Sequence, residues 1–162
     1  MTKKLYLVFV MLTTGLISAQ NSLIRMPRIS PNSQEMAFSF QGDIWIYNFN
    51  TKQPKRITIH EGYESNPVWN EAGDKLAFSS NRKGANNVFT INKIGGIPKQ
   101  LTYYPTEDIP YDWTSSNNIV FATSRVLKGP EWDKQIYHVD ANGGTPQRFI
   151  TDLGSMATVS AD

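Results

Sequence analysis

Asp74-Lys75-Leu76-Ala77-Phe78-Ser79 decides the architecture. Nearly the same phrase occurs twice more, as Gln34-Glu35-Met36-Ala37-Phe38-Ser39 before it and Asn117-Asn118-Ile119-Val120-Phe121-Ala122 after it. Phe38, Phe78 and Phe121 stand 40 and 43 residues apart. Each phrase leads into a second short apolar-aromatic run, marked by Trp45, Phe89 and Tyr137, and then into a run opened by Pro54, Pro98 or Pro146; both sets of markers repeat at 44 and 48 residues. A unit that cannot bury its own apolar face must stack on its neighbours. A period in the forties with several strands per unit is the pattern of β-propeller blades.

The middle copy reads most clearly. Val68-Trp69, Leu76 to Ser80, Val88 to Asn92 and Lys99 to Thr102 are four β-prone runs separated by Asn, Gly and Pro clusters. Asp43-Ile44-Trp45-Ile46-Tyr47 and Asn87-Val88-Phe89-Thr90-Ile91 are rich in β-branched and aromatic residues and too short for a stable helix. The expectation is an all-β fold, a partial β-propeller of about three four-stranded blades over approximately 28–65, 66–110 and 111–153, with 154–162 opening a fourth. Trp45, Phe89 and Tyr137 recur at the blade period and are therefore expected in the core.

Turn chemistry supports this division. Gly73 and Asn117 fall where a tight hairpin requires φ above zero, which both tolerate, whereas the first copy has Ser33 there. The last hairpin of each unit reads Lys93-Ile94-Gly95-Gly96 and Ala141-Asn142-Gly143-Gly144, but Asn50-Thr51-Lys52-Gln53 in the first copy. In the third copy, Val126 to Asp133 are extra residues between the second and third strands, and Trp132 within them is expected to cover the blade.

Residues 1–19 read as a secretory signal peptide. Lys3-Lys4 precede an apolar stretch from Leu5 to Ile17, and Ser18-Ala19-Gln20 offers a small-residue cleavage point. Thirteen apolar residues fall short of the roughly 20 that span a bilayer as a helix. Export, probably the wrong word for certainty at this stage, is replaced by a definite expectation: the chain is exported to the periplasm and meets the membrane only through this leader. The sixteen basic and fourteen acidic residues become balanced once Lys3 and Lys4 leave, which argues against a nucleic-acid partner. With no cysteine, an exported domain depends on its core alone. Residues 20–162 are nearly exhausted by three units, whereas closed propellers have about four to eight blades. The expectation is the front of a longer protein, an arc whose exposed faces and strand edge make it marginal or sticky alone.

Several motifs together resemble a known family. Met26-Pro27-Arg28-Ile29-Ser30-Pro31, Gly42-Asp43-Ile44-Trp45, Pro67-Val68-Trp69, Leu76-Ala77-Phe78-Ser79-Ser80-Asn81-Arg82, Gly95-Gly96-Ile97-Pro98-Lys99-Gln100-Leu101-Thr102 and Asp108-Ile109-Pro110-Tyr111 resemble, in this order, the N-terminal propeller of tricorn-type proteases in their exported bacterial form. Asn70-Glu71-Ala72 replaces the usual serine-proline-aspartate, and the turn at Thr114 is one residue shorter than its counterparts. The resemblance implies a non-catalytic propeller that gates or binds peptides or unfolded proteins for downstream PDZ-like and serine peptidase domains. The single-blade motifs are shared with TolB, a periplasmic protein-binding propeller, and with the propeller caps of prolyl-oligopeptidase-like hydrolases, so these stand as alternatives.

No catalytic, cofactor-binding or metal-binding residue is assigned, and no cofactor is expected. His60 and His138 lack metal-ligand spacing. Ser79-Ser80-Asn81-Arg82-Lys83-Gly84 has neither a glycine-x-serine-x-glycine elbow nor a paired base and reads as a turn. The acidic neighbours Glu107 and Asp108, and Glu131 and Asp133, read as solvated loop carboxylates. Lys55-Arg56 and Lys99, recurring after the prolines, read as the solvated side of an outer strand.

Overall fold

Three four-stranded antiparallel sheets follow one another along the chain. The computed structural model describes residues 23–125, 134–154 and 156–159. The signal-peptide assignment at 1–19, the inserted Val126 to Asp133 with Trp132, and the Glu131 and Asp133 pair lie outside the described residues. The first sheet comprises β1 (Arg25–Ile29), β2 (Glu35–Phe40), β3 (Asp43–Asn48) and β4 (Gln53–Arg56). The second comprises β5 (Glu64–Trp69), β6 (Lys75–Lys83), β7 (Ala85–Asn92) and β8 (Lys99–Gln100). The third comprises β9 (Asp108–Trp113), β10 (Asn118–Thr123), β11 (Gln135–Asp140) and β12 (Gln147–Leu153). Within each sheet the strands pair in chain order, and the described residues contain no helix. This is the expected partial propeller. Its second and third sheets begin at Glu64 and Asp108, slightly ahead of the sequence divisions.

The repeated phrases occupy equivalent places. Phe38 pairs with Trp45, Phe78 with Phe89 and Phe121 with Tyr137 across the second and third strands of their sheets. Alternation sends neighbouring side chains to opposite faces of each sheet. Ala37, Ile44 and Ile46 of the first sheet thus meet Leu76, Phe78 and Phe89 of the second. Ala77 and Val88, from the other face of the second sheet, meet Ile119 and Phe121 of the third. Ala157 and Val159 pack on the far face of the third sheet against Val120, Ala122 and Ile136. The core is therefore two apolar layers between sheets plus the start of another.

Trp45 corrects the expectation of a uniformly buried aromatic set. Phe89 is buried, but Trp45 is only half-buried, edge-on to Phe40, and its indole N–H has no acceptor among the described residues. The physical reason is position. Phe89 faces the first sheet, whereas Trp45 lies on the face of the first sheet that points away from the second.

The turns explain how unlike sequences make one shape. In the turn after each first strand, Ser30, Asn70 or Thr114 accepts a hydrogen bond through its side chain from the returning strand, at Glu35 N, Lys75 N and Asn118 N respectively. Ser33 takes φ 56°, matching Gly73 at 66° and Asn117 at 63°. The left-handed conformation is thus kept in the first sheet without glycine or asparagine, held by the polar residue at the head of the turn.

Candidate functional site

In a propeller sheet the first strand is innermost, and the packing here follows that rule. β5 lies against β1, β2 and β3, and β9 lies against β5, β6 and β7, so the first strands are neighbours at the centre of the arc. Each carries a register shift between its ends: Arg25 to Arg28, Ser65 to Val68, and opposite Val120 and Phe121 in the third sheet. Met26 and Asn66 occupy the first two shifts with φ of 50° and 52°, each directly before a proline. These bulges bend the inner strands at the same height.

A cavity opens at each end of this wall. One, of about 570 Å³, is bounded by Leu23 and Arg25 at the start of β1, Ser39 to Gly42 around the β2–β3 turn, and His60 to Tyr63 in the connection to β5. The other, of about 300 Å³, lies where the inner strands end, among Arg28 and Ile29, Val68 and Trp69, and Tyr111 and Asp112. Arg28, Val68 and Asp112 are equivalent residues, opposite Ala37, Ala77 and Val120. The Trp69 indole donates to the Arg28 carbonyl at 3.0 Å, tying β5 to β1. Asp112 accepts from Val159 N at 2.6 Å and from the Thr158 hydroxyl at 3.1 Å.

The acidic residues that begin β5 and β9 are neutralised internally. Glu64 and Asp108 have fully buried side chains, paired with Arg82 and Arg125, whose own side chains are 11% exposed. Arg125 reaches both carboxylate oxygens of Asp108 at 2.9 and 2.8 Å, and lies over the rings of Tyr104, Phe121 and Tyr137. Arg82 lies likewise over Phe78 and Phe89. Aromatic faces and a carboxylate both favour a guanidinium that has lost its water. Burial lowers the Arg82 pKa from its ordinary value, and the nearby Asp43 carboxylate opposes that shift.

Asp108 is therefore a correction to the solvated-loop expectation. It opens an inner strand with its side chain turned inward, while its neighbour Glu107 is exposed and pairs with Lys134 at 2.8 Å. Lys55 and Lys99 are a second correction. Both are exposed, but each Nζ donates to the next sheet's last hairpin, at the carbonyls of Ile94 (2.9 Å) and Asn142 (2.6 Å). They tie adjacent sheets at the outer edge.

The remaining candidates stand apart. His60 is exposed and accepts from Gly62 N through Nδ1 at 2.8 Å. His138 contacts Asn118 and the ring of Phe149 on the third sheet. Ser79 and Ser80 are buried within β6. The Ser79 hydroxyl donates to the Asp108 carbonyl and that of Ser80 accepts from Arg82. The turn lies beyond them, with Gly84 at φ 105°. No group of three or more His, Cys, Asp or Glu residues is placed to hold a metal ion among the described residues. What sequence reasoning missed is the buried ion pair at the head of two sheets. Its signal was the spacing, since Glu64 to Asp108 and Arg82 to Arg125 repeat at 44 and 43 residues.

Residues 21–162 match the family of the tricorn protease N-terminal beta propeller domain. The chain belongs to that family. A curated relative from Sulfurisphaera tokodaii, described as a Tricorn-like protease N-terminal subunit, is 24% identical over 155 residues, covering 93% of this chain and 77% of its own length. Among solved structures, the tricorn protease superposes with a TM-score of 0.68 at 17% identity, over 79% of this chain and 13% of that one. TolB from Acinetobacter baumannii gives 0.62 at 20% identity, over 79% of this chain and 32% of that one. Both structural likenesses show the fold. The chain spans less than a third of either solved protein that it matches.

Proposed function

We propose that this tricorn-family propeller is the non-catalytic part of an exported, periplasmic serine peptidase, and that it binds or screens unfolded peptides for a catalytic domain downstream of a PDZ-like module. The observation that carries the reading is the family match across residues 21–162, joined to an inner wall with a cavity at each end. A channel of this kind admits an extended chain and rejects a folded one by width alone. Its walls need contribute only positioning.

The test is deletion of residues 23–159 from the peptidase that carries them, followed by digestion of an unstructured peptide and a folded protein of matched composition. The reading predicts lost preference for the unstructured substrate. Identical digestion before and after deletion contradicts it, and a full-length product with no hydrolytic activity points instead to a TolB-like docking ring. Export is tested by osmotic-shock fractionation with N-terminal sequencing, where Gln20 is the expected first residue.

A further inference from the structure

We propose that β1 is a docking rail for an extended acidic peptide, which runs along the innermost strand from one cavity to the other. The proposal rests on the peptide-binding reading above and names the class of peptide.

The argument starts from charge on the inner strands. Their acidic residues are already engaged: Glu64 by Arg82, Asp108 by Arg125, and Asp112 by Thr158 and Val159. Arg25 and Arg28 of β1 are exposed, and neither has a carboxylate partner among the described residues. The uncompensated charge of the inner strands is therefore positive and concentrated on β1. Low-dielectric walls around such a charge raise the local concentration of anionic ligands.

Geometry supplies the direction. Arg25 borders the 570 Å³ cavity and Arg28 the 300 Å³ cavity, so one strand connects the two spaces with a cation at each. All five residues of β1 are exposed, in contrast to β5 and β9, which are largely buried or half-buried. β1 pairs only with β2, which leaves its inner edge without a strand partner. At about 3.3 Å per residue its five residues span about 17 Å. An extended peptide of similar length fits that edge, with main-chain hydrogen bonds giving affinity and carboxylates meeting the two arginines.

The experiment is fluorescence anisotropy with three labelled unstructured peptides of equal length, bearing alternating Glu, Gln or Lys, titrated with the exported chain at low and moderate salt. The acidic peptide is expected to bind tightest and to weaken as salt rises. Arg25→Gln and Arg28→Gln are each expected to weaken it about fivefold, with little effect on the neutral peptide, in line with exposed charge pairs. Circular dichroism of both variants confirms that the fold is kept. Equal binding of all three peptides, or acidic binding unchanged in the double variant, overturns this inference and leaves the peptide-binding reading standing. Failure of every peptide to bind overturns both.

Discussion

The interface between the first and second sheets and that between the second and third solve one problem with different chemistry. In the first, Arg56 pairs with Asp43 at 2.5 Å and donates through Nε to the Thr58 carbonyl at 3.1 Å. In the second, Gln100 takes the place of Arg56 and Asn87 that of Asp43. The Gln100 amide donates to Asn87 Oδ1 at 2.9 Å and to the Thr102 carbonyl at 2.8 Å. The hydrogen-bond pattern survives while the charges disappear. The outcome differs in satisfaction: Asp43 Oδ1 and Glu64 Oε2 are buried without a partner, whereas both oxygens of Asp108 are engaged. Geometry is therefore the repeated quantity, and ionisation varies around it.

The sharpest way to break the comparison is to strand the satisfied carboxylate. Arg125→Ala leaves Asp108 buried and unpaired, and is expected to cost about 3–5 kcal/mol in urea unfolding. A double variant, Arg125→Met with Asp108→Asn, should recover most of that loss, because the charge goes with its partner. Converting the first interface into the second comes next. Arg56→Gln alone is expected to cost about 1–2 kcal/mol, and adding Asp43→Asn should return stability to within about 1 kcal/mol of the parent. A double-mutant cycle reads the coupling directly.

Smaller effects test the turns and the outer ties. Ser33→Gly should gain about 0.5–1 kcal/mol by relieving a left-handed serine, while Gly73→Ala should lose about 1 kcal/mol at the equivalent site. Lys55→Ala and Lys99→Ala should each cost only about 0.3–0.5 kcal/mol, since both lysines are exposed. Equal, small losses at the two lysines would establish them as one repeated contact.

The fold was legible because its signals are local. Apolar runs around Phe38, Phe78 and Phe121, and turn residues at Gly73 and Asn117, act within a few residues of where they stand in the chain. The adoption of the same turn at Ser33 was hidden, because a serine's own preference says nothing of the hydrogen bond that its neighbour Ser30 makes to Glu35 N. The buried pairs were harder still. Glu64 and Arg82 lie 18 residues apart, and Asp108 and Arg125 17 apart, so each charge looks solvated until the strands are paired. The wall was legible only in part, since Arg25 and Arg28 gain significance from the neutralisation of the acids opposite them, a fact of packing rather than of sequence.

The most direct measurement incubates the purified exported chain with an unstructured acidic peptide and follows anisotropy and peptide mass together. The account predicts saturable association with the peptide mass unchanged. Cleavage by this chain would contradict the placement of the chemistry elsewhere, and a flat titration with every peptide would contradict the inner wall as the place where substrates are held.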